Sequence, residues 1–217
     1  MSAHCCHGHP QADNRADPGY RRILWIALAI NASFFLIEIV AAFAAGSVSL
    51  QADAIDFAGD AGNYAISLLV VGLGLRARAR AALVKGATMG LFGIWVLGTA
   101  AWHIAAGGLP HAPTMGLVGL AALAANLVVL ALLWRHRGGD SNRRSVWICS
   151  RNDVLCNLAV LVAALGVFGT GTLWPDVLVA AIMATLALQG AGSVIRQALG
   201  ELRLEAARKE TAYAASR

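Results

Sequence analysis

The sequence predicts an all-α, polytopic membrane protein: a six-helix transmembrane bundle with both termini in the cytoplasm. Of its 217 residues, 58% are hydrophobic and only 13% are charged, whereas a soluble domain usually carries about 25% charged residues. The mean hydropathy of +0.64 points the same way. The 23 glycines suit closely packed helices better than a β-barrel, whose strands alternate in polarity.

Six apolar segments are each long enough to cross a hydrocarbon core about 30 Å thick, which takes about 20 helical residues. They cover residues 23–45, 49–75, 86–107, 114–134, 145–169 and 174–197. The polar residues 1–20 before the first segment predict no cleavable signal peptide. We therefore divide the chain into a flexible His/Cys-rich cytoplasmic tail (1–20), a six-span transmembrane domain (21–200) and a short cytoplasmic tail (201–217).

The connections between the segments alternate in charge. AGSVSL, AAGGLPHAPT and GTGTLWP contain no Lys or Arg, and nearly all of the 17 basic residues lie in the other connections and the two flanks. By the positive-inside rule, the basic connections and both termini are cytoplasmic. Orientation and anionic lipid headgroups thus account for the net charge of +5, and we expect no nucleic-acid partner.

The second segment contains three aspartates in a row of helical spacing. Asp53, Asp56 and Asp60 are three and four residues apart, so they share one helix face, which Asn63 extends. A carboxylate at the bilayer centre costs about 3 kcal/mol or more. Three of them on one face predict a bound cation, or protons in its absence. The opposite side of this helix is predicted to face lipid and runs through Ile55, Phe57 and Leu69.

The fifth segment repeats the pattern, with Cys149 and Asp153 four residues apart and Asn157 on or near the same face. Spans two and five are antiparallel, so two donors from each make a four-ligand cage, the usual number for a zinc-like ion. A buried cysteine is also a common packing residue, which leaves two interpretations for Cys149 and assigns Cys156 to packing. By residue count Asp153 lies nearer its cytoplasmic end than Asp60 does; helix tilt or a start of span five before residue 145 would reconcile the depths.

Further polar residues have more than one interpretation. Glu38 in span one is predicted to be buried, as a proton relay or as a hydrogen-bonding partner of a neighbouring helix. Arg151 lies off the polar face and either snorkels towards cytoplasmic headgroups or gates entry. In the amino-terminal tail a cluster of metal-binding composition predicts auxiliary metal capture by His4, Cys5, Cys6, His7 and His9. No disulfide framework is expected, because two cysteines lie in the tail and two in an apolar segment.

These motifs resemble the cation diffusion facilitator family of metal/proton antiporters over about residues 20–200. GSVSLQADAIDFAGDAGN is similar to that family's second span, CSRNDVLCN to its fifth, and WPD to the start of its sixth. The resemblance implies metal ligands at Asp56, Asp60 and Asp153, with Cys149 at a fourth position where the family usually has His or Asp. It also implies a supporting role for Asp53, while position on the helices predicts supporting or proton-relay roles for Asn63, Asn157 and Glu38.

For function, the resemblance implies efflux of a divalent metal from a bacterial cell in exchange for protons. It also implies a multi-pass protein of the inner membrane. A thiolate ligand favours Zn²⁺, with Cd²⁺ or Co²⁺ as further substrates, over magnesium or manganese. The family typically has a cytoplasmic metal-binding domain after span six, so the chain is expected to be a short variant without it. Expected partners are membrane lipids and a second copy, joined through transmembrane helices to which Lys85 contributes.

Two other functions are compatible with the same residues. A membrane metal sensor or accessory subunit would bind metal without transporting it. Lipid-headgroup phosphotransferases also hold a divalent metal on a four-apart aspartate pair, but their signature has an Ala-Arg pair upstream. No arginine lies between Arg22 and Asp56, so we expect a transporter and not an enzyme.

Overall fold

The computed structural model describes residues 18–69, 75–134 and 141–215, and within these ranges it contains helices and short turns but no strand. The helices are α1 (Pro18–Ala45), α2 (Val48–Leu69), α3 (Leu75–Ala106), α4 (Ala112–Trp134), α5 (Ser141–Thr170) and α6 (Trp174–Ala215). Five of these six helices are long and apolar enough to cross a membrane, and the sixth is α2, which carries the three aspartates. The chain is a polytopic α-helical membrane protein, as predicted.

Three helix ends differ from the predicted spans in ways that matter. α3 begins at Leu75, a full three turns before residue 86, and α6 continues past residue 197 to Ala215. α5 begins at Ser141, ahead of Ser145. The earlier start of α5 adds helix before Asp153, and such an early start is one of the two ways in which Asp153 and Asp60 would be brought level.

α2 occupies the inside of the bundle. It packs against α1, α3, α5 and α6, while the most extensive helix pairs are α3 with α6, α1 with α2, and α4 with α5. The prediction that Ile55 and Phe57 face lipid is wrong: both are buried, and the Phe57 ring stacks on Phe34 of α1 with centroids 5.5 Å apart. The side chain of Leu69 lies outside the described part of the structure. Because four helices surround α2, its carboxylates are kept away from lipid.

Three short turns lie at one end of the bundle. Gly46, Gly107 and Gly171 end α1, α3 and α5 with φ of 62°, 74° and 61°, a left-handed conformation that glycine adopts at no steric cost. Asp176 near the start of α6 links this end to α2. Its carboxylate accepts hydrogen bonds from the backbone nitrogen of Val48 at 2.8 Å and that of Ser49 at 3.0 Å, and so caps the amino terminus of α2.

The interior contains two apolar clusters and a set of buried polar side chains, which we call the polar layer. The larger cluster includes Ala45, Val48 and Val167 near the turns, and the smaller one includes Tyr20 and Leu133 at the opposite end. Buried polar side chains from four helices form the layer: Asn31, Glu38, Asp53, Asp60, Asn126, Asp153 and Asn157. The candidate site is part of this layer.

Candidate metal centre

Helix α2 contributes the carboxylates of the site. Asp53 is fully buried, Asp60 is 8% exposed, and Asp56 between them is half-buried. Spacings of three and four residues keep all three on one side of the helix, as the sequence predicts. Because α2 is enclosed by other helices, this side faces protein and not hydrocarbon.

Helix α5 faces α2 with buried polar residues that include Asp153 and Asn157. The Asp153 and Asp60 carboxyl groups lie within hydrogen-bonding reach of each other. One turn further along α5, Nδ2 of Asn157 donates a 3.0 Å hydrogen bond to Oδ1 of Asp53. The antiparallel crossing of spans two and five therefore brings the predicted halves of the site together in two successive contacts.

Glu38 adds a third helix to this layer. Its side chain is fully buried in α1 and interacts with the Asp53 carboxyl group and, more weakly, with that of Asp56. Neither of its oxygens has a hydrogen-bond donor among the described residues, and neither do Oδ2 of Asp53 and Oδ1 of Asn157. Four buried acceptor oxygens without a donor are an unusual accumulation, since buried polar atoms are nearly always paired. Such an arrangement attracts protons or a cation.

Two polar contacts near the site were not anticipated from the sequence. Nζ of Lys85 on α3 donates a hydrogen bond to Oδ1 of Asn63 on α2, and its ammonium group acts electrostatically on Asp60. The hydroxyl groups of Tyr64 and Ser150 lie 3.1 Å apart and join α2 to α5 one helical turn beyond Asp60. The only sequence signal for the first contact is a lysine at the start of the predicted third span.

No group of three or more His, Cys, Asp or Glu side chains converges closely enough to hold a metal ion in the described ranges. Cys149 belongs to α5, but its side chain lies outside the described part of the structure, as does the tail cluster His4, Cys5, Cys6, His7 and His9. The described donors thus form the pairs Asp60–Asp153 and Glu38–Asp53, and the four-ligand cage stays a prediction.

The remaining candidates have unremarkable positions. Arg151 is exposed, on the side of α5 away from Asp153 and Asn157. Cys156 is a half-buried free thiol that packs against the larger apolar cluster. Its environment is that of a small core residue.

A family model described as "Cation efflux transmembrane domain" matches residues 24–203. The chain is 26% identical over 211 residues to the zinc transporter ZitB of Escherichia coli (strain K12) and to that of Shigella flexneri, with 90% of this chain and 66% of each relative covered. The ZitB of Yersinia pestis is 26% identical over 212 residues, which cover 89% of this chain and 66% of the relative. The chain thus spans just under two thirds of the length of these relatives.

Proposed function

Because the chain belongs to the cation efflux family, we propose that it exports divalent metal cations, zinc foremost, in exchange for protons. The observation that carries the proposal is the pairing of the Asp60 and Asp153 carboxyl groups between α2 and α5. Two carboxylates held together inside a membrane protein repel each other unless a cation or a proton lies between them. The similarity to zinc transporters supports zinc as that cation.

The proposed ligands are Asp56, Asp60, Asp153 and Cys149. Asp60 and Asp153 are already adjacent, and Asp56 lies one helical turn from Asp60 on the same side of α2. Cys149 lies one turn from Asp153 on α5. A zinc ion takes four ligands in tetrahedral geometry, so a small shift of α5 against α2 would complete its coordination.

Protons are the proposed counter-ion. Carboxylate and thiolate ligands must lose their protons to bind a metal, so metal and protons compete for the same atoms. Glu38, Asp53 and Asn157 lie beside the ligands and offer unpaired acceptor oxygens, which supports their role as the relay that supplies and removes these protons. Asn63 supports the site from the cytoplasmic side.

We propose transport by alternating access. The metal enters from the cytoplasm, after capture by the His/Cys cluster of the amino-terminal tail, and exchanges its water for the four ligands. The helices then rock so that the ligands face outwards, where protons displace the metal. Cytoplasmic metal loading and the bacterial relatives support the inner membrane as the location.

A resistance assay in a zinc-sensitive bacterial host tests the function. We expect the intact chain to restore growth at zinc concentrations that stop the empty host, Asp60→Ala to abolish this effect, and Cys149→His to preserve it better than Cys149→Ala. Thr88→Ala is the control, because its exposed hydroxyl bonds within α3 to the Val84 carbonyl. Full resistance with Asp60→Ala would show that the assigned site does not carry the metal.

A further inference from the structure

Lys85 is a charged residue inside a membrane-spanning helix. It lies in α3 within the apolar stretch Ala79–Ala106, and its side chain is half-buried. Arg80 and Arg76, five and nine residues nearer the amino-terminal end of the same helix, are exposed. Lysines near a helix end usually snorkel towards the headgroups. Lys85 is instead directed into the bundle.

The contacts of Lys85 place its charge beside the proposed metal ligands. Nζ donates to Oδ1 of Asn63, and both Lys85 and Asn63 interact with the Asp60 carboxylate. An ammonium group has three donors and no acceptor. Lys85 is therefore able to serve Asn63 and Asp60 together, and it brings one positive charge to the Asp60–Asp153 pair.

The close packing of α3 on α6 fixes this direction. A Cβ atom at Gly86 would lie 2.8 Å from Cγ1 of Ile195 and 3.4 Å from the Ala191 carbonyl oxygen. Gly93, two turns on, is similarly close to Leu188. The glycine face of α3 thus lies against α6, and Lys85, adjacent to Gly86, projects about 100° around the helix from that face, towards α2.

We propose that Lys85 is a tethered counter-charge that neutralises Asp60 while the site holds no metal and must withdraw when a divalent cation binds. This inference rests on the proposed function. A divalent cation and an ammonium group that lie close together repel each other strongly in a medium of low polarity. The charge of Lys85 beside Asp60 and the binding of a metal at Asp60 therefore oppose each other, so Lys85 weakens metal affinity and assists metal release.

The test uses the full chain in lipid nanodiscs for zinc binding and in proteoliposomes for zinc flux. We expect Lys85→Gln to tighten the zinc Kd by about tenfold, and to lower KM and kcat together, because the metal is retained. Lys85→Arg keeps the charge and should remain close to the intact chain. Arg80→Gln, which removes an exposed charge from the same helix, is the matched control and should change neither Kd nor KM.

The outcomes that would overturn the role of Lys85 differ from those that would overturn the proposed function. An unaltered or weaker zinc Kd in Lys85→Gln overturns the counter-charge role, and so does a lower melting temperature with KM unchanged, which would make Lys85 a structural residue. If the intact chain binds no zinc, or Asp60→Ala binds it equally well, the proposed function fails and the Lys85 inference fails with it. If Asp60→Ala abolishes binding and Lys85→Gln leaves the Kd unchanged, only the inference fails.

Discussion

Asn157 on α5 donates a 3.0 Å hydrogen bond through Nδ2 to Oδ1 of Asp53 on α2, and both side chains are fully buried. The bond joins the two helices one contact away from the Asp60–Asp153 pair. It therefore sets the register in which the candidate ligands of α2 and α5 meet.

Asn157→Ala is expected to lower the free energy of unfolding by about 1–3 kcal/mol, since it leaves a buried carboxylate oxygen without its donor. When Asn157→Ala is already present, Asp53→Ala should lower the free energy of unfolding by less than it does alone. The expected coupling free energy is about 0.5–3 kcal/mol. Unfolding in detergent, followed by circular dichroism for the two single variants and the double variant, measures both quantities. Gln189→Ala on the exposed side of α6 is the control. Additive effects would mean that the bond does not hold α2 to α5.

Gly86→Ala is expected to destabilise the bundle by about 1–3 kcal/mol, because the added Cβ overlaps Ile195 on α6. Gly98→Ala on the same helix is the matched control: nothing lies within 4 Å of its Cβ position. The control should be neutral or stabilise by up to about 1 kcal/mol through helix propensity. Thermal unfolding of the purified variants measures the difference. Equal effects at the two glycines would contradict the close approach of α3 and α6.

Cys149 is expected to bind zinc directly. X-ray absorption at the zinc edge should detect one sulfur at about 2.3 Å in the intact chain, with oxygen ligands making up the rest of the coordination sphere. Cys149→Ser should remove the sulfur signal, whereas Cys156→Ser, at the packing cysteine, should leave it unchanged. A sulfur signal that disappears only with Cys156→Ser would exchange the roles of the two residues.

Much of the fold was predictable from the sequence, since length and hydropathy identify most membrane-spanning helices. The apolar segments predicted all six helices, and the three- and four-residue spacings placed Asp53, Asp56 and Asp60 on one side of α2. The assignment of Ile55 and Phe57 to the lipid face failed for a physical reason. Periodicity distinguishes a polar from an apolar side, but an apolar side packs equally well against lipid or against a neighbouring helix such as α1.

The contacts of Lys85 and the level of Asp153 were beyond sequence reasoning. A lysine side chain reaches several ångströms in many directions, and its actual direction depends on how α3 rests on α6 at Gly86. The depth of Asp153 depends on where α5 begins, and polar residues from Ser141 onwards give no hydropathy signal for that boundary. Tertiary packing decides both.

The most direct test of the central claim is zinc flux in proteoliposomes under an imposed proton gradient. If Asp60 and Asp153 together hold the exported metal, zinc should move against the direction of proton flow, and Asp60→Ala and Asp153→Ala should each reduce the rate to that of empty liposomes. Collapse of the gradient should also stop net transport, since protons are needed to displace the metal from its carboxylate ligands. Transport at the intact rate by either variant would contradict the site on which this account depends.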